Sequence, residues 1–258
     1  MHTDWSSLTT LELAEMARRS PIAVVVMGAT EQHGHHLPLG TDTTIGLGLQ
    51  AAMLAALPQE LDIICLPAIS VGASEEHSSF PGTLSLPARV AIDTLEAYGN
   101  SVAKADIRRL MIINSHGGNK AVMDIAALAL RKRHALQVIK STYTRLPPLE
   151  GALDADELRR GLHGGLLETA MMLHLAPDQV NMARARNALS EKPADSSLLD
   201  QEGAAALAWL AEDLAYDGIA GNATGATAEL GKKLVHHYGR QLAKVVQEAA
   251  ARPLPATS

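Results

Sequence analysis

Apolar residues fall along this chain in two alternating kinds of run. Ile22-Ala-Val-Val-Val-Met27 is short, unbroken and mostly β-branched, and it stops at Gly28. The stretches 63–66, 110–113 and 136–139 repeat the pattern. Runs of this length without polar alternation predict strands buried on both faces, as in a parallel sheet. Between them, apolar positions recur at helical spacing over 8–19, 43–56, 87–104 and 120–134. Thr9 or Thr10 is placed to cap the first helix and Pro87 to occupy the first turn of the third. Strand, loop and helix in alternation predict an α/β fold with crossover helices. The second half reads as more helical, over 164–175, 202–215 and 228–250, with irregular surface excursions at 144–162 and 187–200. No repeat or linker interrupts residues 1–258, so a single domain is expected.

Composition narrows the picture. Aromatic residues make up only 3%, so the core must be built from Ala, Val, Ile, Leu and Met. The net charge is −6, and the densest basic stretch, Arg131-Lys132-Arg133, reads as the solvated C-terminal end of a helix. An acidic chain with scattered cations gains nothing from phosphate attraction, so no nucleic-acid partner is expected. Cys65 is the only cysteine and lies in a predicted strand, which excludes an intrachain disulfide and a thiolate zinc site. The opening residues MHTDWSSL do not form a signal peptide, and no apolar stretch is long enough for a membrane span. A cytoplasmic protein without a membrane partner is the expectation.

The polar residues cluster where an α/β sheet places its ligands, beyond the carboxyl ends of the strands. The first strand runs into Thr30-Glu-Gln-His-Gly-His-His-Leu-Pro-Leu-Gly-Thr-Asp42, and the third into Asn114-Ser-His-Gly-Gly-Asn119. Glu31 and His33 lie two apart, so in extended backbone they point the same way and make half of a metal site. Asp42 follows a turn at the start of the next helix, His116 is flanked by Gly117, and Glu168 lies in His163-Gly-Gly-Leu-Leu-Glu168. Taken singly, Asp42 also reads as a helix cap, His116 as a partner of a loop carbonyl, and Glu168 as a solvated helix charge. His35, His36, His174, His236 and His237 read as ordinary polar residues.

The strings TEQHGHHLPLGTD, EHSSFPGT, NSHGGN and HGGLLET, in this order, resemble the creatininase family of amidohydrolases, and GIAGNATGATAELG is similar to that family's late loop and helix. The resemblance implies a three-layer α/β/α sandwich with a mainly parallel central sheet, two divalent metal ions (zinc, manganese or iron) and a homohexamer. It implies one metal on Glu31 and His116, a second on His33 and Glu168, Asp42 bridging them, and His163 as proton carrier. The charges agree: three crowded carboxylates repel, and two divalent cations remove the conflict. The mechanism expected is attack on an amide carbonyl by a bridging hydroxide, in a small-molecule or short-peptide substrate. Ser115, Gly117, Gly118 and His77 are candidate substrate contacts, and Tyr143 is placed to face the substrate.

Creatininases proper carry an acidic ligand two residues after the loop His, where this chain has Gly118, so Glu168 must serve. They also set Trp over the substrate from the segment before HGG, and residues 144–163 contain none. Both departures point away from creatinine. The Gly-Gly form resembles relatives that cleave formamides of pyrimidine intermediates or trim a peptide in redox-cofactor maturation. Two other readings stay open: a metal-dependent ring-opening enzyme or isomerase of a cyclic keto compound, and a non-catalytic metal-binding protein. A serine hydrolase would need a Gly-x-Ser-x-Gly elbow, and the chain has none.

Overall fold

The structure, a computed structural model, describes residues 2–190, 198–202 and 205–256. Five strands form one wholly parallel sheet: β1 (His2–Asp4), β2 (Ile22–Met27), β3 (Ile63–Cys65), β4 (Arg109–Asn114) and β5 (Gln137–Thr142), in the order β1-β3-β2-β4-β5. β2 and β4 sit at the centre, paired in register from Ile22↔Arg109 to Met27↔Asn114, and every residue of both is buried. Their side chains divide by parity. Val24, Val26, Met111 and Ile113 face one core, while Ala23, Val25, Leu110 and Ile112 face the other.

The first core is closed by α2 (Thr41–Ala56), α6 (Leu166–Leu175) and α8 (Ala228–Ala251). The second is closed by α1 (Thr10–Ala17), α3 (Ala88–Lys104) and α4 (Asn119–His134). Helices on both faces of a parallel sheet make the three-layer α/β/α sandwich. Thr9 caps α1 through a reciprocal bond with Glu12, and Pro87 is the cap of α3 rather than its first residue. Arg131, Lys132, Arg133 and His134 form the last turn of α4, where cations complement the helix dipole. Cys65 is buried in β3, and burial pushes its thiol up to about 11. No helix among the described residues is long and apolar enough to cross a membrane.

The expected helix over 202–215 is not what forms. Of the described residues there, only Ala211–Leu214 (α7) is helical, and Ala205–Ala206 (β7) pairs with Leu199–Asp200 (β6). The alanine-rich composition favours helix only weakly. Arg159–Asp200 and Lys120–Glu202 ion pairs instead tie the segment's start to the body. Two short elements also carry no apolar pattern in the sequence: the polar edge strand β1, and α5 (Ala155–Arg160) inside the expected excursion 144–162. Much of the expected excursion at 187–200, residues 191–197, lies outside the described residues.

Two helices on the first face touch without side chains between them. A Cβ built at Gly231 of α8 would lie 1.8 Å from the carbonyl oxygen of Ala170 in α6. A Gly231→Ala substitution must push these helices apart and is expected to cost about 2 kcal/mol or more, read by urea denaturation. Gly40→Ala, whose Cβ meets nothing within 4 Å, should be close to neutral.

Candidate metal centre

Loops at the carboxyl ends of β2, β3 and β4 converge with the start of α6. Two asparagines fix their relative positions. Asn119 accepts from the Ala73 amide at 3.0 Å and donates to the Gly28 carbonyl at 3.0 Å, tying the loop after β3 to the end of β2. Asn114 accepts from the His116 amide at 3.2 Å. The loop after β4 is held onto α2 by Ser115, whose hydroxyl donates to the Asp42 carbonyl at 2.7 Å. The late loop buttresses His163 through paired backbone bonds between His163 and Ala220.

At the convergence the structure brings together all five expected ligands. His33 Nε2 lies 3.4 Å from Asp42 Oδ1 and 3.8 Å from Glu168 Oε2. His116 Nδ1 lies 3.2 Å from Glu31 Oε1 and 3.4 Å from Asp42 Oδ2. Two trios able to grip a cation follow, Glu31–Asp42–His116 and His33–Asp42–Glu168, with Asp42 in both; within each, the donor atoms lie within 4.8 Å of one another. A third trio is Glu31–His33–His163. Asp42 is the second residue of α2, with Gly40 as the cap, so its carboxylate is left for the centre.

Each imidazole is turned by a carbonyl behind it. His33 Nδ1 donates to the Glu31 carbonyl at 3.1 Å, and His116 Nε2 to the Ala73 carbonyl at 2.8 Å. That fixes which nitrogen faces the carboxylates, the device that orients metal-binding histidines. The bond to the loop carbonyl takes Nε2 of His116 and leaves Nδ1 facing the carboxylates, so the carbonyl and ligand readings are compatible. The donor set also passes a test of fit. Glu31 Oε1 and Oε2, His33 Nε2 and Asp42 Oδ2 are buried and have no hydrogen-bond partner. Such atoms are costly unless something of opposite charge meets them. Among the described residues no Lys or Arg pairs with Glu31, Asp42 or Glu168.

The protonation pattern reflects that crowding. Burial lowers His33 and His116, but the facing carboxylates outweigh it and raise them to about 9 and about 10. Burial raises Glu168 to about 7, with the Asp42 charge adding to the shift and His33 opposing it. Burial opposes ionisation of Glu31 too, yet His116, His163 and His77 together hold it well below the usual carboxylate range. His163 is the opposite case: burial, then the charges of His33 and His77, push it well below the usual histidine value. Its Nε2 donates to the Gln32 carbonyl at 2.7 Å, leaving Nδ1 unprotonated and 3.7 Å from Glu31 Oε1.

His77 lies inside this cluster as well as on the cavity wall. Its Nε2 is 3.4 Å from Glu31 Oε1 and its ring is stacked 4.2 Å from His163. Gln32, which the sequence did not single out, serves both rings: its side-chain amide donates to His77 Nδ1 at 2.9 Å and its carbonyl receives His163. The only signal was its place between Glu31 and His33. Glu76 was also missed, with Oε1 3.5 Å from His116 Nε2. His36 bonds Thr169 of α6 at 2.9 Å, holding that helix to the His-rich loop.

A cavity of about 780 Å³ opens onto the centre, lined by Ser115, Gly117 and Gly118 on one wall and Tyr143 and His163 on another. A tryptophan does reach it. Trp209 arrives from after β7 and stands edge-on to His77 at 6.5 Å, so the lack of Trp in 144–163 does not leave the cavity without one.

A parallel α/β/α sandwich with a centre of three carboxylates and two oriented imidazoles is an α/β fold with a side-chain cluster able to hold cations, and comparison with known proteins gives the family. The family model for creatinine amidohydrolase matches residues 6–246. A mycofactocin precursor peptide peptidase from Mycolicibacterium smegmatis is 35% identical over 179 residues, covering 68% of this chain and 66% of that protein. The same-named peptidase of Mycobacterium tuberculosis is 33% identical over 230 residues, covering 86% and 82%. A creatinine amidohydrolase of Pseudomonas putida is 29% identical over 192 residues, covering 66% and 70%. Among solved structures, a manganese creatininase superposes with a TM-score of 0.73 at 22% identity, over 98% of this chain and 100% of that one. A mutant creatininase of Zn-Zn type gives 0.76 at 22%, over 96% and 98%. The chain belongs to the creatininase family and is a creatininase-family amidohydrolase.

Gly118 has no room for a side chain. A Cβ there would fall 2.3 Å from the Ala73 carbonyl, 2.4 Å from Glu76 Oε1 and 2.5 Å from His116 Nε2. Gly118→Ala is therefore expected to displace His116 from the Ala73 carbonyl and lower the melting temperature by several degrees. Gly117→Ala, which meets nothing within 4 Å, is the control and should leave both unchanged.

Proposed function

We propose that this protein hydrolyses a carbon–nitrogen amide bond in a short peptide or small molecule, at two divalent cations. Glu31 and His116 would hold one, His33 and Glu168 would hold the other, and Asp42, which belongs to both trios, would be shared between them. The observation that carries the reading is the pair of ligand trios that share Asp42 and include buried atoms with no other partner. Zinc, manganese and iron all suit a set of imidazoles and carboxylates without thiolate, and the Zn-Zn and Mn forms of the structural neighbours favour the first two. Cations so held supply Lewis-acid activation of water and of the amide carbonyl.

The chain's own residues do the rest. His163 receives a proton at Nδ1 and returns it to the departing nitrogen, because its Nε2 proton is committed to the Gln32 carbonyl. Its stacking between the His33 and His77 rings, each at 4.2 Å, holds the imidazole in that orientation. Ser115 positions Asp42, while the Gly117 and Gly118 backbone and His77 line the place where a substrate carbonyl would lie. A cavity of about 780 Å³ suits a short peptide better than a single small ring. The peptidase relatives point the same way. A homohexamer belongs to the same reading, with the exposed Leu198, Leu207, Leu210 and Tyr216 as apolar surface to bury.

Glu31→Ala should lose bound metal and all amide hydrolysis; full metal content with full activity would refute the assignment. His163→Ala should keep its metal and lose about 10²–10⁴-fold in kcat. Without metal, His33 and His116 carry protons up to about pH 9 and 10, and a cation must displace them. Zinc binding should therefore release protons at pH 7 and tighten as pH rises toward 9, by up to about tenfold per unit for each proton displaced. Calorimetry in buffers of different ionisation enthalpy reads this directly, and a pH-independent affinity from 6 to 9 would place the metals elsewhere.

A further inference from the structure

Outside the metal centre, the charges along the cavity wall are paired off with one exception. Lys120 meets Glu202 at 3.1 Å, and Arg159 meets Asp200 at 2.9 Å. Glu76 lies against His116, and Glu168 belongs to the centre. Arg145 also lines the cavity, and among the described residues it has neither an ion pair nor a side-chain hydrogen bond. It stands on the short 3-10 turn Tyr143–Arg145, at the carboxyl end of β5 and beside β4, whose following loop carries His116. The same turn holds a second unmatched group. The Tyr143 hydroxyl is buried without a hydrogen-bond partner, and its residue lines the same cavity. Arg145 is exposed at the cavity's rim, so its guanidinium is hydrated and open to an acceptor of negative charge, while the Tyr143 hydroxyl is a buried donor on the same turn.

We propose that Arg145 binds a carboxylate of the substrate, so that the cavity selects amides carrying a free acid group away from the scissile bond. Guanidinium and carboxylate make two parallel hydrogen bonds in a fixed geometry, so this contact would set the register of the chain across the metal centre as well as add affinity. The inference rests on the amidohydrolase reading above for the bond cleaved, but its anion site is testable without turnover.

The test compares an N-acetylated tripeptide with a free C-terminus against its C-terminal amide. Calorimetry on the metal-free protein keeps carboxylate–metal contacts out of the measurement. The wild type should bind the acid about tenfold more tightly than the amide. Arg145→Gln should bring the acid down to the level of the amide, and Arg145→Lys should restore part of the difference. Equal binding of the two peptides by the wild type, no binding of either at millimolar concentration, or a preference that survives Arg145→Gln would overturn the proposal. With metal-loaded enzyme, Arg145→Gln should raise KM for the acid and leave kcat within about twofold. Cleavage without an Arg145-dependent preference sinks this inference and spares the amidohydrolase reading. An Arg145-dependent preference with no cleavage of either peptide does the reverse.

Discussion

Three carboxylates that share one buried point are the constraint around which this molecule is arranged. Glu31, Asp42 and Glu168 come from a loop, a helix start and a second helix start, and none has a Lys or Arg partner among the described residues. Left alone, such a cluster would drive its elements apart or take up protons. The protein holds it with two imidazoles, and holds those with the Glu31 and Ala73 carbonyls. Those carbonyls depend in turn on loops pinned by Asn114 and Asn119. The parallel sheet matters because it brings all these loops out on one edge. The wholly apolar β2 and β4 supply the burial that offsets the local repulsion.

The same dependence explains the division among the histidines. His33 and His116 face carboxylates and are pushed toward the charged form, whereas burial first and neighbouring imidazoles second lower His163 and His77, His77 to about 4. Side chains a few ångströms apart are thereby set to opposite charge states, which suits the separate cation-holding and proton-carrying roles proposed for them. Environment, not residue type, makes the distinction.

What the sequence allowed to be read follows from how local each signal is. β2 and β4 were legible because a strand buried on both faces leaves an unbroken apolar run. Glu31, His33 and His116 stood out because they lie in loops that leave such runs, and Asp42 because it ends the His-rich segment that follows β2. Glu168 needed the family motif, since an acid near a helix start has many explanations. β1 was hidden because an edge strand reading His-Thr-Asp has no apolar pattern, and the expectation of a helix over 202–215 rested on an alanine-rich composition, a local preference that tertiary context readily overrides. Gln32, Glu76 and Trp209 act across gaps in sequence, Gln32 reaching His163 over 131 positions, and no spacing rule reports contacts of that kind.

The closeness of Glu76 to Gly118 has a consequence for how such centres diverge. A Cβ at 118 would fall 2.4 Å from Glu76 Oε1 and 2.3 Å from the Ala73 carbonyl, so any side chain there must move both the glutamate and the loop that orients His116. An acid at 118 would therefore have to arrive together with a rearranged loop after β3, and the glycine there records how tightly that loop closes over His116 in this chain.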